Sequence, residues 1–386
     1  MNILVIGNGF DIAHGLPTGY KDFLRFISIL QKLSANTEYN PINEKEEKML
    51  AFLEKLTEKA SLKENAALAT WNELNDLIDN NVWVSYFQEI STRERWVDFE
   101  KEISKVIQAL DSARKLVEER VSQGDKYACI EAWQFEALRH FIGSGSGNHR
   151  NVQFEPKAFT YRKEQLLTDL NRLTRCLEIY LSEFINNLPI MYQLKDIQHL
   201  DIDKVLSFNY TDTFSRTYNA DGQKKIDYDF IHGKAKTESN MQSCNLVIGI
   251  DEYLKGQDKN LDNEFIEFKK FYQRIYKGTG SAYTKWLITH DSYVLDAFQK
   301  NRSKLTPQVK VYFYGHSLDV TDKDILRQLL TSEGVTATIF YHSKDSLGRQ
   351  IANLVKVIGE DELIQRTGGP EKRIIFKETS SIILPV

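Results

Sequence analysis

The 386-residue chain has few cysteines and no long apolar run, and each shortage excludes a class of protein. Its three cysteines, Cys129, Cys176 and Cys244, include no C-x-x-C pair, which excludes a disulfide framework and a four-cysteine zinc ribbon. No apolar segment approaches the roughly 18–20 residues that a membrane helix needs. The N-terminus also lacks the basic segment of a signal peptide. We therefore expect a cytoplasmic protein with no membrane partner.

The chain also has no large excess of either charge, because 50 Lys and Arg residues are balanced by 54 Asp and Glu residues, for a net charge of −4. The basic residues are spread along the chain, which argues against duplex nucleic acid as the main ligand and leaves only a local basic groove for it. Hydrophobic residues make up 41% of the chain and charged residues 27%, as is typical of folded globular proteins.

Strand candidates occur in two separated parts of the chain. The first is the apolar run at residues 2–7, and later ones lie at 204–208, 310–314 and 337–341. Residues 42–153, in contrast, contain no proline and repeat Leu, Phe and Trp at helical spacing. Strands separated by helices predict a parallel sheet. We predict a Rossmann-like α/β fold, a parallel sheet flanked by helices, built from residues 1–41 and 191–386 and split by an all-helical insertion of residues 42–190.

A glycine turn, Gly7-Asn8-Gly9, follows the first strand directly. In a doubly wound sheet this is the place where backbone N–H groups meet a phosphate, and glycine lets the backbone approach it closely. Polar side chains crowd the turn, namely Asn8, Asp11, His14 and Thr18. The third glycine of the dinucleotide fingerprint is missing, so a plain tight turn is the alternative. No G-x-x-x-x-G-K-[ST] loop is present, which argues against a P-loop NTPase.

The stretch GNGFDIAHGLPTGYKDF, residues 7–23, resembles the opening signature of the AbiH family of bacterial abortive-infection proteins, and residues 96–100 (WVDFE, with Trp96) are similar to that family too. The AbiH resemblance runs over most of the chain. The same opening stretch also aligns without gaps on the sirtuin pattern G-A-G-x-S-x-x-S-G-I-P. Gly7, Gly9, Gly15 and Pro17 match that pattern, and Leu16 replaces its Ile. Asn8, Asp11 and His14 depart from it.

Three later segments resemble sirtuin-like NAD hydrolases in the same chain order. Residues 207–210 (SFNY) resemble their strand-end Asn motif, and His232-Gly233 resembles their catalytic His-Gly. Residues 315–319 (GHSLD), with Asp322, resemble their late G-x-S motif. The resemblance implies a sirtuin-like core with Asn209 and His232 as catalytic residues. Together with the polar side chains that crowd the glycine turn, it predicts an NAD-binding set of Gly7, Asn8, Gly9, Asp11, His14, Thr18, Gly315, His316, Ser317 and Asp319.

The activity that this resemblance implies is hydrolysis of NAD to nicotinamide and ADP-ribose through an oxocarbenium-like transition state. Asn209 would hold a water or a ribose hydroxyl, although an Asn after a strand also caps turns. His232 would act as a general base, because imidazole titrates near neutral pH, or it is a hydrogen-bonded structural histidine. Asp11 would bind ribose or cap its turn. Ser317 and Asp319 would hold phosphate and ribose, or cap the next helix.

Other chemistries find less support in the sequence. No H-E-x-x-H motif or EF-hand loop occurs, so we expect no metal. Deacylation is disfavoured, because sirtuin deacylases share a four-cysteine zinc module that this chain lacks. The G-x-S-x-G motif of Ser hydrolases fails at Asp319. A non-catalytic nucleotide-binding sensor or scaffold is the second hypothesis, and a nucleic-acid effector is the third. As an antiphage protein the chain would have a phage-derived trigger, and the helical block is a candidate regulatory or homo-oligomer surface.

Overall fold

The computed structural model describes residues 1–94, 97–124, 128–141, 151–152, 156–287, 309–369, 372–380 and 382–383. The chain forms two compact units. We call residues 1–19, 181–235 and 274–386 the sheet unit, and residues 20–180 and 236–273 the helical unit. The predicted division at residues 41/42 and 190/191 stays a prediction, and the two compact units have different boundaries.

The sheet unit contains a six-stranded sheet in which all neighbouring strands are parallel. Its strands are β1 Asn2–Ile6, β2 Lys204–Ser207, β3 Asp227–Phe230, β4 Val309–Tyr314, β5 Val335–Tyr341 and β6 Ile374–Glu378. Their order across the sheet is β3-β2-β1-β4-β5-β6. The same order occurs in doubly wound sheets that bind dinucleotides. The prediction of an α/β fold with a parallel sheet flanked by helices is therefore confirmed.

β1 shows why these strands are continuous apolar runs. Ile3 and Val5 point into one hydrophobic core, whereas Leu4 and Ile6 point into another on the opposite face of the sheet. All four side chains are buried. Because helices cover both faces of a parallel sheet, its central strands need apolar residues at every position rather than at alternate ones.

The helices of the sheet unit are mostly short. Among the described residues they include Asn8–Ala13, Lys195–Gln198, Thr213–Tyr218, Lys323–Thr331, Lys344–Ile358 and Glu360–Gly368. The Asn8–Ala13 helix is a correction, because the sequence predicts only a turn there. It forms because Gly7 adopts an extended backbone as the residue before the helix, and the N–H of Phe10 then donates to the Gly7 carbonyl at 2.8 Å. The strand β6 and the helix Glu360–Gly368 were also not predicted.

The helical unit contains most of the long helices, with bounds Tyr20–Ser34, Glu44–Ser61, Asn65–Ile78, Val82–Arg93, Phe99–Ser122, Ala132–Leu138 and Pro156–Ile179. Its described residues also include a two-residue antiparallel pair, Ala128–Cys129 with Asn151–Val152. The helix Tyr20–Ser34 belongs to this unit because Phe23 and Phe26 both pack on Tyr180. Across the described ranges, we find no helix with the length and hydrophobicity needed to cross a bilayer.

Candidate functional site

Four strands of the sheet unit deliver the predicted site residues from their carboxyl ends. Gly7 follows β1, Asn209 lies two residues after β2, His232 lies two residues after β3, and Gly315 follows β4. The carboxyl ends of parallel strands lie at one edge of a sheet. Ligands of doubly wound sheets bind at this edge, where the strand order reverses, which here is between β1 and β4.

The glycines after β1 and β4 allow two loops to touch. The Gly9 N–H donates to the Gly315 carbonyl at 2.9 Å. A Cβ atom on Gly7 would lie 2.7 Å from the Cα of His316, and one on Gly9 would lie 2.8 Å from the Cα of Gly315. Gly315 itself has a φ of +66°, and its Cβ would lie 2.1 Å from the Phe10 nitrogen. The loop contact alone therefore accounts for these glycines, and their NAD-binding role stays a prediction.

Beside this contact lies a buried acid–amide cluster of Asp11, Asn209, Thr211 and Thr213. The Thr211 hydroxyl donates to Asp11 Oδ2 at 2.5 Å. Burial raises the pKa of Asp11 from 3.8 to about 6, against the opposing effect of the Thr211, Thr213 and Asn209 side chains. The sequence does not predict a role for either threonine, because nothing in its spacing joins Thr211 to Asp11, 200 positions earlier.

The cluster holds several polar atoms that the protein does not satisfy. Asp11 Oδ1 and both polar atoms of the Asn209 amide are buried and make no well-formed hydrogen bond within the described residues. The Asn209 amide is still close enough to Asp11 to lower its pKa, so the two groups face each other at imperfect geometry. A buried polar atom without a partner costs roughly 1–3 kcal/mol. A polar ligand or water that bonds to these atoms would recover this energy.

A second group, the His–Asp cluster, consists of His232, His316 and Asp322, all buried. Asp322 Oδ1 lies 3.2 Å from His232 Nε2, and Asp322 Oδ2 lies 3.8 Å from His316 Nε2. Asp322, the last residue of the 3₁₀ turn Val320–Asp322, is part of the late motif that resembles sirtuin-like NAD hydrolases, and the sequence predicts no separate role for it. Its partner His232 is 90 positions earlier, and only the fold brings the two together.

The two clusters are neighbours through the residues on either side of Asn209. The Phe208 ring packs edge-on against His232, with ring centres 5.6 Å apart, and against His316, with ring centres 4.3 Å apart. The Tyr210 ring centre lies 6.4 Å from that of His232. Asn209 thus lies between two residues whose rings are near that of His232, on the segment that follows the neighbouring strand. The catalytic roles of Asn209 and His232 stay predictions.

The remaining predicted residues have partners elsewhere in the sheet unit. The Thr18 hydroxyl donates to Asn8 Oδ1 at 2.6 Å. His14 is buried, with Nδ1 2.7 Å from the Phe10 carbonyl and Nε2 3.0 Å from the Tyr218 hydroxyl, and burial lowers the pKa of His14 to about 4. Both ring nitrogens of His14 therefore bond to groups that lie outside the acid–amide cluster.

The loop after β4 gives Ser317 and Asp319 different surroundings. The side chain of Ser317 is exposed, and its carbonyl accepts from Asn353 Nδ2 at 3.0 Å. Asp319 accepts from the Thr321 N–H at 3.2 Å, as in the capping alternative. Trp96 lies outside the described residues.

An open depression of about 570 Å³ lies in the helical unit, lined in part by Arg114, Lys163, Asp262 and Glu264, and none of the predicted residues lines it. Its charges already form ion pairs, Arg114 with Asp262 and Lys163 with Glu264. In the parts of the chain that the structure describes, no group of three or more His, Cys, Asp or Glu side chains is arranged to hold a metal ion.

The fold and the site together define an α/β protein with a buried polar site at the carboxyl edge of a parallel sheet. Residues 3–342 match the model of a protein family described as bacteriophage abortive infection AbiH. Because this match covers most of the 386 residues, the chain belongs to the AbiH family, and membership implies a part in abortive-infection phage defence. No curated protein and no solved structure matches the chain significantly.

Proposed function

We propose that this AbiH protein acts in phage defence by hydrolysing NAD to nicotinamide and ADP-ribose at the carboxyl edge of its sheet. The observation that supports the proposal best is the position of Asn209 between Phe208 and Tyr210, both of which contact the His232 ring. A buried amide with unsatisfied polar atoms and a buried imidazole therefore lie on the segments that follow two neighbouring strands, at the edge where doubly wound sheets bind nucleotides.

The bond to be broken joins C1′ of ribose to the nitrogen of nicotinamide. That nitrogen is cationic in NAD, so it leaves with the bonding electron pair as neutral nicotinamide and needs no general acid. Water adds its oxygen to C1′, and the proton that it loses goes to His232. The Asn209 carbonyl oxygen accepts a hydrogen bond from the attacking water or a ribose hydroxyl, and its amide nitrogen donates one to the sugar.

Two carboxylates favour the positive charges that develop during the reaction, Asp11 the charge on the ribose and Asp322 the charge on His232. Asp11 is mostly ionised at pH 7.5, because burial raises its pKa only to about 6. Asp322 lies beside His232 and stabilises the imidazolium that forms when His232 takes the proton. Fixed charges in a site closed to water act more strongly on a transition state than they would in bulk solvent.

The test is a nicotinamide-release assay on the purified full chain, with and without a phage lysate. Asn209→Ala and His232→Ala should each reduce release by roughly 100-fold or more, as is usual for the loss of a positioned proton acceptor or polar group. His199→Ala is the matched control, because His199 is exposed on the same unit and should behave like the wild type. NAD that stays intact with the wild type under both conditions overturns the proposal.

A second candidate function is nucleotide sensing without turnover. The unsatisfied atoms of Asp11 and Asn209 favour it equally, because a bound nucleotide would satisfy them whether or not it reacts. In that case NAD at 100 times its Kd should stabilise the protein by about 2.7 kcal/mol and be recovered unchanged. A melting-temperature rise measured together with the nicotinamide assay separates the two functions.

A further inference from the structure

We infer that Asp322 is a positioning residue that fixes the tautomer and orientation of His232, and that the Leu318 N–H orients His316, whose Nε2 faces Asp322. This inference rests on the proposed function in one respect, namely that His232 is the base. The geometry that supports it extends from the loop after β4 to the end of β3.

The loop after β4 fixes the tautomer of His316. The backbone N–H of Leu318 donates to His316 Nδ1 at 2.9 Å. A backbone N–H can only donate, so this ring nitrogen accepts and carries no proton. Neutral His316 therefore has its proton on Nε2, the nitrogen that faces Asp322 Oδ2 at 3.8 Å. At this distance the contact is electrostatic rather than a direct hydrogen bond.

The backbone of Leu318 is unusual enough to need an explanation. Its φ is +56°, a left-handed conformation that costs an L-residue roughly 1–2 kcal/mol. The Leu318 side chain is fully buried, which stabilises the loop against this cost. Strained backbone of this kind concentrates at functional sites. Here the strained residue supplies the N–H that orients His316.

Asp322 in turn orients the ring of His232. Its Oδ1 atom lies 3.2 Å from His232 Nε2, within hydrogen-bond range for a ring N–H. A carboxylate accepts hydrogen bonds and has none to donate, so it favours the tautomer of neutral His232 with the proton on Nε2. The lone pair of His232 then resides on Nδ1. Nδ1 is therefore the atom that takes the proton from water in the proposed reaction.

An ordinary structural ion pair would also explain a buried Asp beside a histidine, and Asp322→Asn separates the two explanations. The amide keeps the shape of the side chain but can donate from its nitrogen, so it no longer enforces one tautomer. A merely structural role predicts lower stability with unchanged chemistry in the folded fraction. A positioning role predicts a lower kcat with KM retained, because the ground-state contacts to NAD are untouched.

The matched control is Asp324→Asn. Asp324 lies two residues further along, is exposed, and pairs with Arg274, so the same chemical change there should leave kcat within about twofold. For Asp322→Asn we expect kcat to fall roughly 10²- to 10⁴-fold, the range seen when the orienting carboxylate of a His–Asp pair is lost. KM should change by less than about threefold.

The second readout is the ¹⁵N spectrum of histidine-labelled full chain without NAD, with the His232 signals assigned by their loss in His232→Asn. We expect wild-type His232 to be protonated on Nε2 when neutral, and Asp322→Asn to populate the Nδ1-protonated tautomer. Wild-type His232 protonated on Nδ1, or unchanged tautomers and kcat in Asp322→Asn, would overturn the inference. Because this spectrum needs no turnover and the wild type alone gives an answer, failure of the NAD proposal remains distinguishable from failure of this one.

Discussion

Replacing Gly315 with alanine is the sharpest test of the idea that the glycines after β1 and β4 serve a contact between two loops. Two penalties add at this residue. Its φ of +66° is left-handed, and the new Cβ would lie 2.1 Å from the Phe10 nitrogen, which is backbone and cannot swing aside. If the glycines instead serve only the approach of a ligand, Gly315→Ala in the protein without ligand should cost no more than the backbone strain alone.

The expected loss of stability follows from these two penalties. A left-handed L-residue costs roughly 1–2 kcal/mol, and an overpacked contact that shifts backbone costs about 1–3 kcal/mol. The reduced freedom of the unfolded chain offsets about 0.4–1 kcal/mol of this. The free energy of unfolding of Gly315→Ala should therefore be lower by about 1–4.6 kcal/mol.

Two other glycines of the chain separate the contributions. Gly359 has a φ of +93° but no atom within 4 Å of its Cβ position, so Gly359→Ala tests the backbone strain alone. Gly348 lies inside the helix Lys344–Ile358 with open space around it, and Gly348→Ala should stabilise the protein by about 0.5–1 kcal/mol. Urea unfolding of the three variants without nucleotide gives the comparison. A Gly315→Ala protein as stable as Gly359→Ala would refute the reasoning.

Three further predictions concern the buried groups near β1. Asp11→Asn should stabilise the protein at pH 7.5, because burial raises the pKa of Asp11 from 3.8 to about 6 and ionised Asp11 therefore destabilises the folded state. The gain in stability should vanish as the pH falls towards 4. An equal gain in urea unfolding at both pH values would contradict this prediction. His14 affects the pH dependence of stability in the opposite direction. Burial lowers the pKa of His14 to about 4, so the free energy of unfolding should fall as the pH drops from about 6.5 towards 4. His14→Gln should weaken that pH dependence in the same urea series. Tyr218→Phe should lower the free energy of unfolding by roughly 1–3 kcal/mol, because the hydroxyl bonds to both His14 Nε2 and the Leu194 N–H; a loss under about 0.5 kcal/mol would show that these groups find other partners.

The strands of the sheet could be predicted because their signal is local. β1 is an unbroken apolar run that ends in glycine, and its position next to β2 and β4 follows the usual order of doubly wound sheets. The β6 strand, IIFKE, was missed because it is an edge strand with exposed residues at alternate positions, so it has no long apolar run. The short helix Asn8–Ala13 was missed because glycines at its start have low helix propensity, and the loop contact outweighs that propensity.

The site could be predicted only in part, for a related reason. Asn209 and His232 each follow a strand, and strand ends are recognisable in a sequence. Asp322 and Thr211 contact residues 90 and 200 positions away, so their partners depend on which strands are neighbours. His14 lies in the glycine turn, where a polar residue indicates a ligand site. In the structure both of its ring nitrogens bond to other groups of the protein, and its position in the sequence does not reveal those partners.

The residues at this edge of the sheet lower the stability of the folded protein in three ways. Asp11 is buried at the cost of a raised pKa, the Asn209 amide is buried without good partners, and Leu318 has a left-handed backbone. Each feature carries a cost to the folded state. These features lie on the segments that follow β1, β2 and β4, at the edge where such sheets bind ligands. Natural proteins retain costs of this kind where a function requires them. Asp11→Asn should therefore make the protein more stable at neutral pH and less active in the same assay.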